Sequence, residues 1–281
     1  MTTKEIDLKN LPNPIIINPE LKKAISTLSL SFKKKNAHKK ILEFKDVCLI
    51  NHPHSERSRS YPLLNSFSFS LTESNIYFLL GNNGAGKSTL VQLTFRIYKP
   101  DSGKIILSDK PLEEFSRSEL ISQVCYVGQH PDHQITLSTF GQYKQKAELD
   151  KNSLALTLMN TYLKLRDNFP VSLLSPLQKK LICLTSFISS KTKLIIIDEP
   201  TWGIDRRDQL KIINILKDIT DQLDLALLII SHDIKLVSMF QPKVLWIHND
   251  ELTFFENYES FSTDEQVKSL FDIPSYSNFG D

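Results

Sequence analysis

The chain has little cysteine, little glycine, no long apolar run and no excess of either charge, and each shortage removes a class of protein. Its three cysteines, Cys48, Cys125 and Cys183, are odd in number and widely spaced within apolar stretches. That suits reduced core thiols in a reducing compartment, not a disulfide framework or a metal site. No apolar run approaches the ~18 residues of a membrane span, and the stretch from Met1 to Asp7 lacks the apolar core of a secretory signal, so a cytosolic chain is expected. Lys and Arg number 34 against 32 Asp and Glu, a formal net charge of +2, which gives no electrostatic argument for nucleic acid. What remains, at 281 residues with 41% hydrophobic and 23% charged, is enough chain for one large domain with appendages or for two small ones.

Glycine is the informative shortage. Of eight in the chain, three fall in Gly81-Asn82-Asn83-Gly84-Ala85-Gly86-Lys87-Ser88-Thr89, which fits G-x-x-x-x-G-K-[ST] without a mismatch. The apolar run Ile76-Tyr77-Phe78-Leu79-Leu80 precedes it and Leu90-Val91-Gln92-Leu93 can start a helix after it, so the setting is strand, turn, helix. A turn that merely joins strand to helix explains Gly81 but not the Gly-Lys-Ser-Thr run. Glycines let successive N–H groups point inward around an anion, the helix start adds positive potential, and Lys87 brings a point charge for the outer phosphates. Asn82, Asn83, Gly84, Ala85, Gly86, Lys87, Ser88 and Thr89 are therefore the candidate phosphate cradle, with Ser88 placed to ligate Mg²⁺.

Residues 1–40 stand apart, broken by Pro12, Pro14 and Pro19 and carrying Lys33-Lys34-Lys35 and Lys39-Lys40. They read as a solvated basic extension; the sharper alternative is contact with anionic lipid headgroups or an acidic partner. Ile41–Ile50 and Phe67–Leu71 read as antiparallel strands, and Lys104–Leu107 after Pro100-Asp101-Ser102-Gly103 as a third. Lys193–Ile197 and Leu225–Ile230 are uninterrupted apolar runs, the pattern of parallel strands covered on both faces. Between the two groups, residues 136–190 show no strong strand and the spacing Leu154, Leu158, Tyr162 and Leu165 of an amphipathic helix, a helical insertion.

The parallel runs end in polar residues. Asp198-Glu199-Pro200-Thr201 puts two carboxylates at the C-terminal edge of a parallel sheet, where ligands of open α/β sheets bind. Asp198 would hold Mg²⁺ through its water shell; Glu199 would orient or deprotonate the water that attacks the γ-phosphate. The next run ends in Ser231-His232-Asp233, whose histidine can polarise the γ-phosphate or fix that water. Gln129, ending Tyr126-Val127-Gly128-Gln129, can reach Mg²⁺ and the water together.

A phosphate loop, a Gln after a strand, Asp-Glu-Pro-Thr, Gly203-Ile204-Asp205 and Ser-His-Asp occur in one order, and from about residue 41 to 250 the chain resembles the ATP-binding cassette (ABC) ATPases. The resemblance implies an α/β fold: a RecA-like, mostly parallel sheet core with an antiparallel β subdomain and a helical subdomain at about 136–190, leaving 251–281 as a C-terminal tail. It implies ATP and Mg²⁺, and two cassettes packed head to tail, each nucleotide held between one subunit's phosphate loop and the other's Leu-Ser-Gly-Gly-Gln signature. It also implies integral membrane transporter subunits as partners, a place on the cytoplasmic face of the cell membrane, and no nucleic acid. Gln129-His130-Pro131-Asp132-His133-Gln134-Ile135 is similar to a segment of energy-coupling-factor ATPases, which drive vitamin and metal-ion uptake, and Leu270–Pro274 resembles a short stretch closing many of them. His130 and His133 without a third ligand make no metal site.

The pattern breaks at Leu174-Ser175-Pro176-Leu177-Gln178, where both signature glycines are missing. Pro176 has no N–H to give, Leu177 places a branched side chain where a backbone must come close, and the usual following arginine is replaced by Lys179-Lys180-Leu181. No adenine-stacking aromatic stands where expected; Asn51 or His52 occupies that region, and Tyr61 could substitute. An ATPase subunit of an importer is thus expected, pairing with a different cassette in preference to itself. The alternatives are a subunit of another ABC transporter class and a hydrolysis-poor regulatory subunit.

Overall fold

The computed structural model describes residues 39–51, 61–240 and 242–271. The basic extension lies outside them apart from its last two residues, as do His52 and residues 272–281. In chain order the strands and helices are β1 (Lys40–Asn51), β2 (Tyr61–Thr72), β3 (Ile76–Gly81), α1 (Lys87–Thr94), β4 (Ser102–Leu107), β5 (Lys110–Pro111), α2 (Arg117–Gln123) and β6 (Val124–Val127). Then come α3 (Phe140–Leu149), α4 (Ser153–Leu158), α5 (Pro176–Phe187), β7 (Leu194–Asp198), α6 (Arg206–Leu223), β8 (Ala226–Ile230) and α7 (Ile234–Phe240). The last four are β9 (Lys243–His248), β10 (Glu251–Phe255), α8 (Tyr258–Thr263) and α9 (Glu265–Leu270).

Two sheets form: β2-β1-β4-β5, all antiparallel, and β10-β9-β3-β8-β7-β6, parallel except for β10. The three strands expected to be antiparallel are β1, β2 and β4. The parallel strands alternate their side chains between two cores, which makes the sheet the middle of three layers. Phe78, Leu80, Ile195, Ile197, Leu227 and Ile229 face a core shared with α5, α6 and α7. Tyr77, Leu79, Leu194, Ile196, Leu228 and Ile230 face one shared with α1, α2 and the antiparallel sheet. Leu194, Ile195, Ile196 and Ile197 are 0% exposed. At ~1.5–3 kcal/mol for each fully buried aliphatic side chain, that run fixes the register of β7 and so the height of the carboxylate pair at its end.

One expected boundary is corrected. The main sheet does not stop at 250: β10 pairs antiparallel with β9 through Glu251↔His248 to Phe255↔Val244. The two turn residues, Asn249 and Asp250, both take positive φ (49° and 63°), the geometry of a tight hairpin. Phe261 of α8 and Val267 of α9, each 0% exposed, then pack into the α5–α7 core, so residues 251–271 belong to the folded domain. Cys125 and Cys183 are buried and Cys48 is half-buried, all three as free thiols.

Candidate functional site

The phosphate loop leaves β3 at Gly81, where an added Cβ would stand 2.8 Å from the Ile247 carbonyl oxygen of β9. Glycine is needed there for the approach of two backbones. Gly84 and Gly86 take φ of +84° and +98°, which only glycine adopts without strain, and Gly86 is the N-cap of α1. No side chain caps α1 and its first turn holds no acidic residue, so its amides are open to an incoming anion. Lys87 Nζ donates to the Gly81 and Asn82 carbonyls at 2.6 and 2.8 Å, which uses two of its three donors and holds the ammonium across the loop. Ala85 N donates to Asn82 O at 3.1 Å and tightens the same turn. Asn82, Asn83 and Ser88 are exposed, with Thr89 half-buried beside them.

Next to β3 in the sheet, β8 and β7 carry the other candidates. Their register pairs Asp198 with Ile230, so Glu199 and His232 emerge side by side from adjacent strand ends. Glu199 is 8% exposed and holds a left-handed backbone, φ +44°, fixed by its N–H donating to Ile230 O at 2.8 Å. Three donors converge on its carboxylate: Ser231 Oγ at 3.0 Å on Oε2, and the His232 N–H at 3.1 Å and Nδ1 at 2.5 Å on Oε1. With the Nδ1 proton directed at Glu199, neutral His232 keeps Nε2 as an acceptor on a ring that is 67% exposed. Ser231, to which the motif gave no task, is thus the buried residue that fixes the second carboxylate oxygen.

Electrostatics join this group to the loop. Burial pulls the Lys87 ammonium below the ordinary lysine range, opposed by the charges of Glu199 and Asp198. Burial and then the Glu199 charge push Asp198 above the usual carboxylate range, opposed by Lys87, Tyr126 and Lys180. A desolvated carboxylate repelled by its neighbour is one that a cation would relieve. Among the described residues no group of three or more His, Cys, Asp or Glu could hold a metal ion unaided. This donor set fits Mg²⁺, which keeps waters and shares phosphate oxygens; Ser88 and Asp198 are the candidates to hold it. Gln129 follows β6 at the far side of β7; its carbonyl lies 3.4 Å from Lys180 Nζ, while its amide has no bond to Asp198, Glu199 or His232.

The helix start where the signature should stand is closed. Ser175 Oγ accepts from Gln178 N at 3.3 Å, and Gln178 Oε1 accepts from Ser175 N at 2.9 Å, with Pro176 as the first helical residue. Both surviving polar residues of the signature are spent on a capping box. Leu177 differs from expectation: it is 7% exposed and packs into the core, so its side chain is no obstacle on the surface. Lys180 was also missed. It is 1% exposed, and its Nζ donates to the Glu199 carbonyl at 2.8 Å. Its place between Leu177 and Leu184 on the apolar face of the helix was the available signal. The adenine region stays open: backbones pair Asn51 with Tyr61, but their side chains are outside the described residues.

The family model described as ABC transporter matches residues 64–202. The chain is 34% identical over 198 residues to the Bacillus subtilis protein named "Putative HMP/thiamine import ATP-binding protein YkoD", covering 68% of this chain and 36% of that protein. It is 27% identical over 229 residues to the energy-coupling factor transporter ATP-binding protein EcfA2 of Clostridium perfringens, covering 78% of this chain and 79% of that one. Among solved structures, cbiO1 from Clostridium perfringens, titled part of the ABC transporter complex cbiONQ, superposes with a TM-score of 0.69 at 25% identity, over 83% of this chain and 94% of that one. The chain spans about a third of the length of several curated relatives.

Proposed function

The chain carries an ABC transporter ATP-binding domain, and from that premise we propose that it is the ATP-hydrolysing subunit of an importer of the energy-coupling-factor kind, peripheral to the cytoplasmic face of a membrane. The observation that carries the reading is the convergence of Ser231 and His232 on the Glu199 carboxylate, at a sheet edge whose charges act on Lys87 of an open phosphate loop. The amides from Gly84 to Thr89 and the Lys87 ammonium bind the outer phosphates of ATP. Glu199, its carboxylate held by three donors, orients or deprotonates the attacking water, and His232 Nε2, an acceptor in that tautomer, would take a hydrogen bond from the same water. Ser88 and Asp198, with Gln129 from the end of β6, would hold Mg²⁺, which would supply the positive charge that the leaving phosphate oxygens need. The solute itself, a vitamin or a metal ion, is selected by a membrane subunit.

The closed start of α5 supports a heterodimer: a partner with an intact signature completes the site on Lys87, while Pro176 and the capping box leave the opposite site a weak clamp. No helix among the described residues is long and apolar enough to cross a membrane, in keeping with separate membrane subunits. Affinity capture of this chain from detergent-solubilised membranes is expected to bring along a second cassette and an integral membrane protein. A chain recovered without either, hydrolysing ATP alone at the rate of the membrane-derived preparation, contradicts the proposal.

A further inference from the structure

Among the described residues, Lys180 is a buried ammonium that belongs to neither the phosphate loop nor the strand ends, although its charge is coupled to Asp198 and Glu199. Lys180 lies on α5, is 1% exposed, and directs Nζ to the carbonyl of Glu199 at 2.8 Å and toward that of Gln129 at 3.4 Å. We propose that Lys180 is a positioning residue for hydrolysis: it pins the backbone of Glu199, and with it the Gln129 segment, to the helix that begins at Ser175, and so sets where the Glu199 carboxylate stands. The inference rests on the hydrolytic reading above and names a residue that reading does not need.

Three observations support it. First, Glu199 is the strained point of the site. A non-glycine residue at φ +44° persists only where its surroundings over-determine it. Here the N–H is tied to Ile230 O, and the carbonyl accepts from both Lys180 Nζ and the Trp202 N–H at 3.1 Å. Remove Lys180 and that carbonyl keeps one donor, in a turn with reason to relax. Second, the contact belongs to a set. Lys179 pairs with Asp132 at 2.6 Å and Cys183 Sγ lies 3.5 Å from Pro131 O, so positions 179, 180 and 183 of one helix hold residues 129–132. The ring of His130 in turn meets Trp202 edge-on at 4.7 Å between centroids. Third, stability does not account for a lysine here. A buried cation whose hydrogen-bond partners are carbonyls is costly, and the charges of Asp198 and Glu199 offset that cost only in part. Burial brings the Lys180 ammonium down to about 8, the measure of that cost.

The test uses the membrane-derived complex with Lys180→Met, Lys180→Gln and Glu199→Gln. In Lys180→Met, kcat should fall by about 10–100-fold, as for a reacting group displaced by about an ångström, with the KM for ATP changed by less than about threefold. Amide exchange across residues 198–205 should quicken by more than about fivefold, out of proportion to any change in the thermal midpoint. Lys180→Gln, which keeps an N–H donor, should recover part of the rate. The proposal is overturned by a Met variant with kcat within about twofold of the parent, by unchanged exchange at 198–205, or by a variant that fails to fold, since each makes the lysine irrelevant or merely structural. If Glu199→Gln leaves turnover intact, the hydrolytic reading fails, and the exchange measurement still decides whether Lys180 holds the turn.

Discussion

Two helix starts in this chain begin from the same physics and reach opposite states. At α1 the N-cap is Gly86 in a left-handed conformation, no side chain caps the amides and no carboxylate stands in the first turn. At α5 Ser175 and Gln178 cap each other and Pro176 contributes no amide, so Leu177 holds the one first-turn N–H for which the cap supplies no acceptor. A helix N-terminus binds phosphate with the donors its own side chains have left unused. The comparison teaches that degeneracy in the signature is more than a loss of glycines. The residues that survive, Ser175 and Gln178, have turned inward to stabilise their own helix.

The largest effect is expected at the open end. Glu199→Gln should lower the hydrolysis rate by about 10²–10⁴-fold while ATP binding remains, because the loop and Lys87 are untouched; a steady-state rate beside a binding isotherm checks both. Lys87→Ala should weaken ATP binding by about 10–150-fold, the worth of a charge-assisted hydrogen bond, and equilibrium dialysis would show it. At the closed end the changes shrink. Pro176→Gly returns an amide to α5 and should raise ATP turnover in the assembled pair of cassettes by no more than about tenfold, since the capping box still holds its donors. Ser175→Ala should cost about 1 kcal/mol of stability, seen in a denaturant titration, and leave ATP binding by the isolated chain as it was. Loss of binding in that last variant would erase the distinction between the two ends.

Contiguous chemistry was legible in the sequence. The phosphate loop is nine successive residues with strand and helix beside it, and the apolar runs before Asp198 and Ser231 announce parallel strands whose ends carry charge. What was hidden depends on direction or distance. Leu177 begins a helix whose rotation is set by the core, and no local rule says that its side chain turns inward. Ser231 reads as part of a motif until the register of β7 and β8 sets it against Glu199. Lys180 looks like half of a surface lysine pair unless helical spacing is counted, and even then its acceptor is 19 residues away. The β9–β10 hairpin was missed although Asn249-Asp250 is turn chemistry, because β10 is an exposed edge strand with a weak apolar pattern.

The measurement that tests the two-ended account most directly is the number of ATP molecules bound by the purified chain in Mg²⁺, determined by equilibrium dialysis for the parent, Lys87→Ala and Ser175→Ala. One nucleotide per chain, bound about 10–150-fold more weakly without the lysine and as tightly as by the parent without the serine, is the predicted result. An affinity untouched by Lys87→Ala or lost with Ser175→Ala would contradict it.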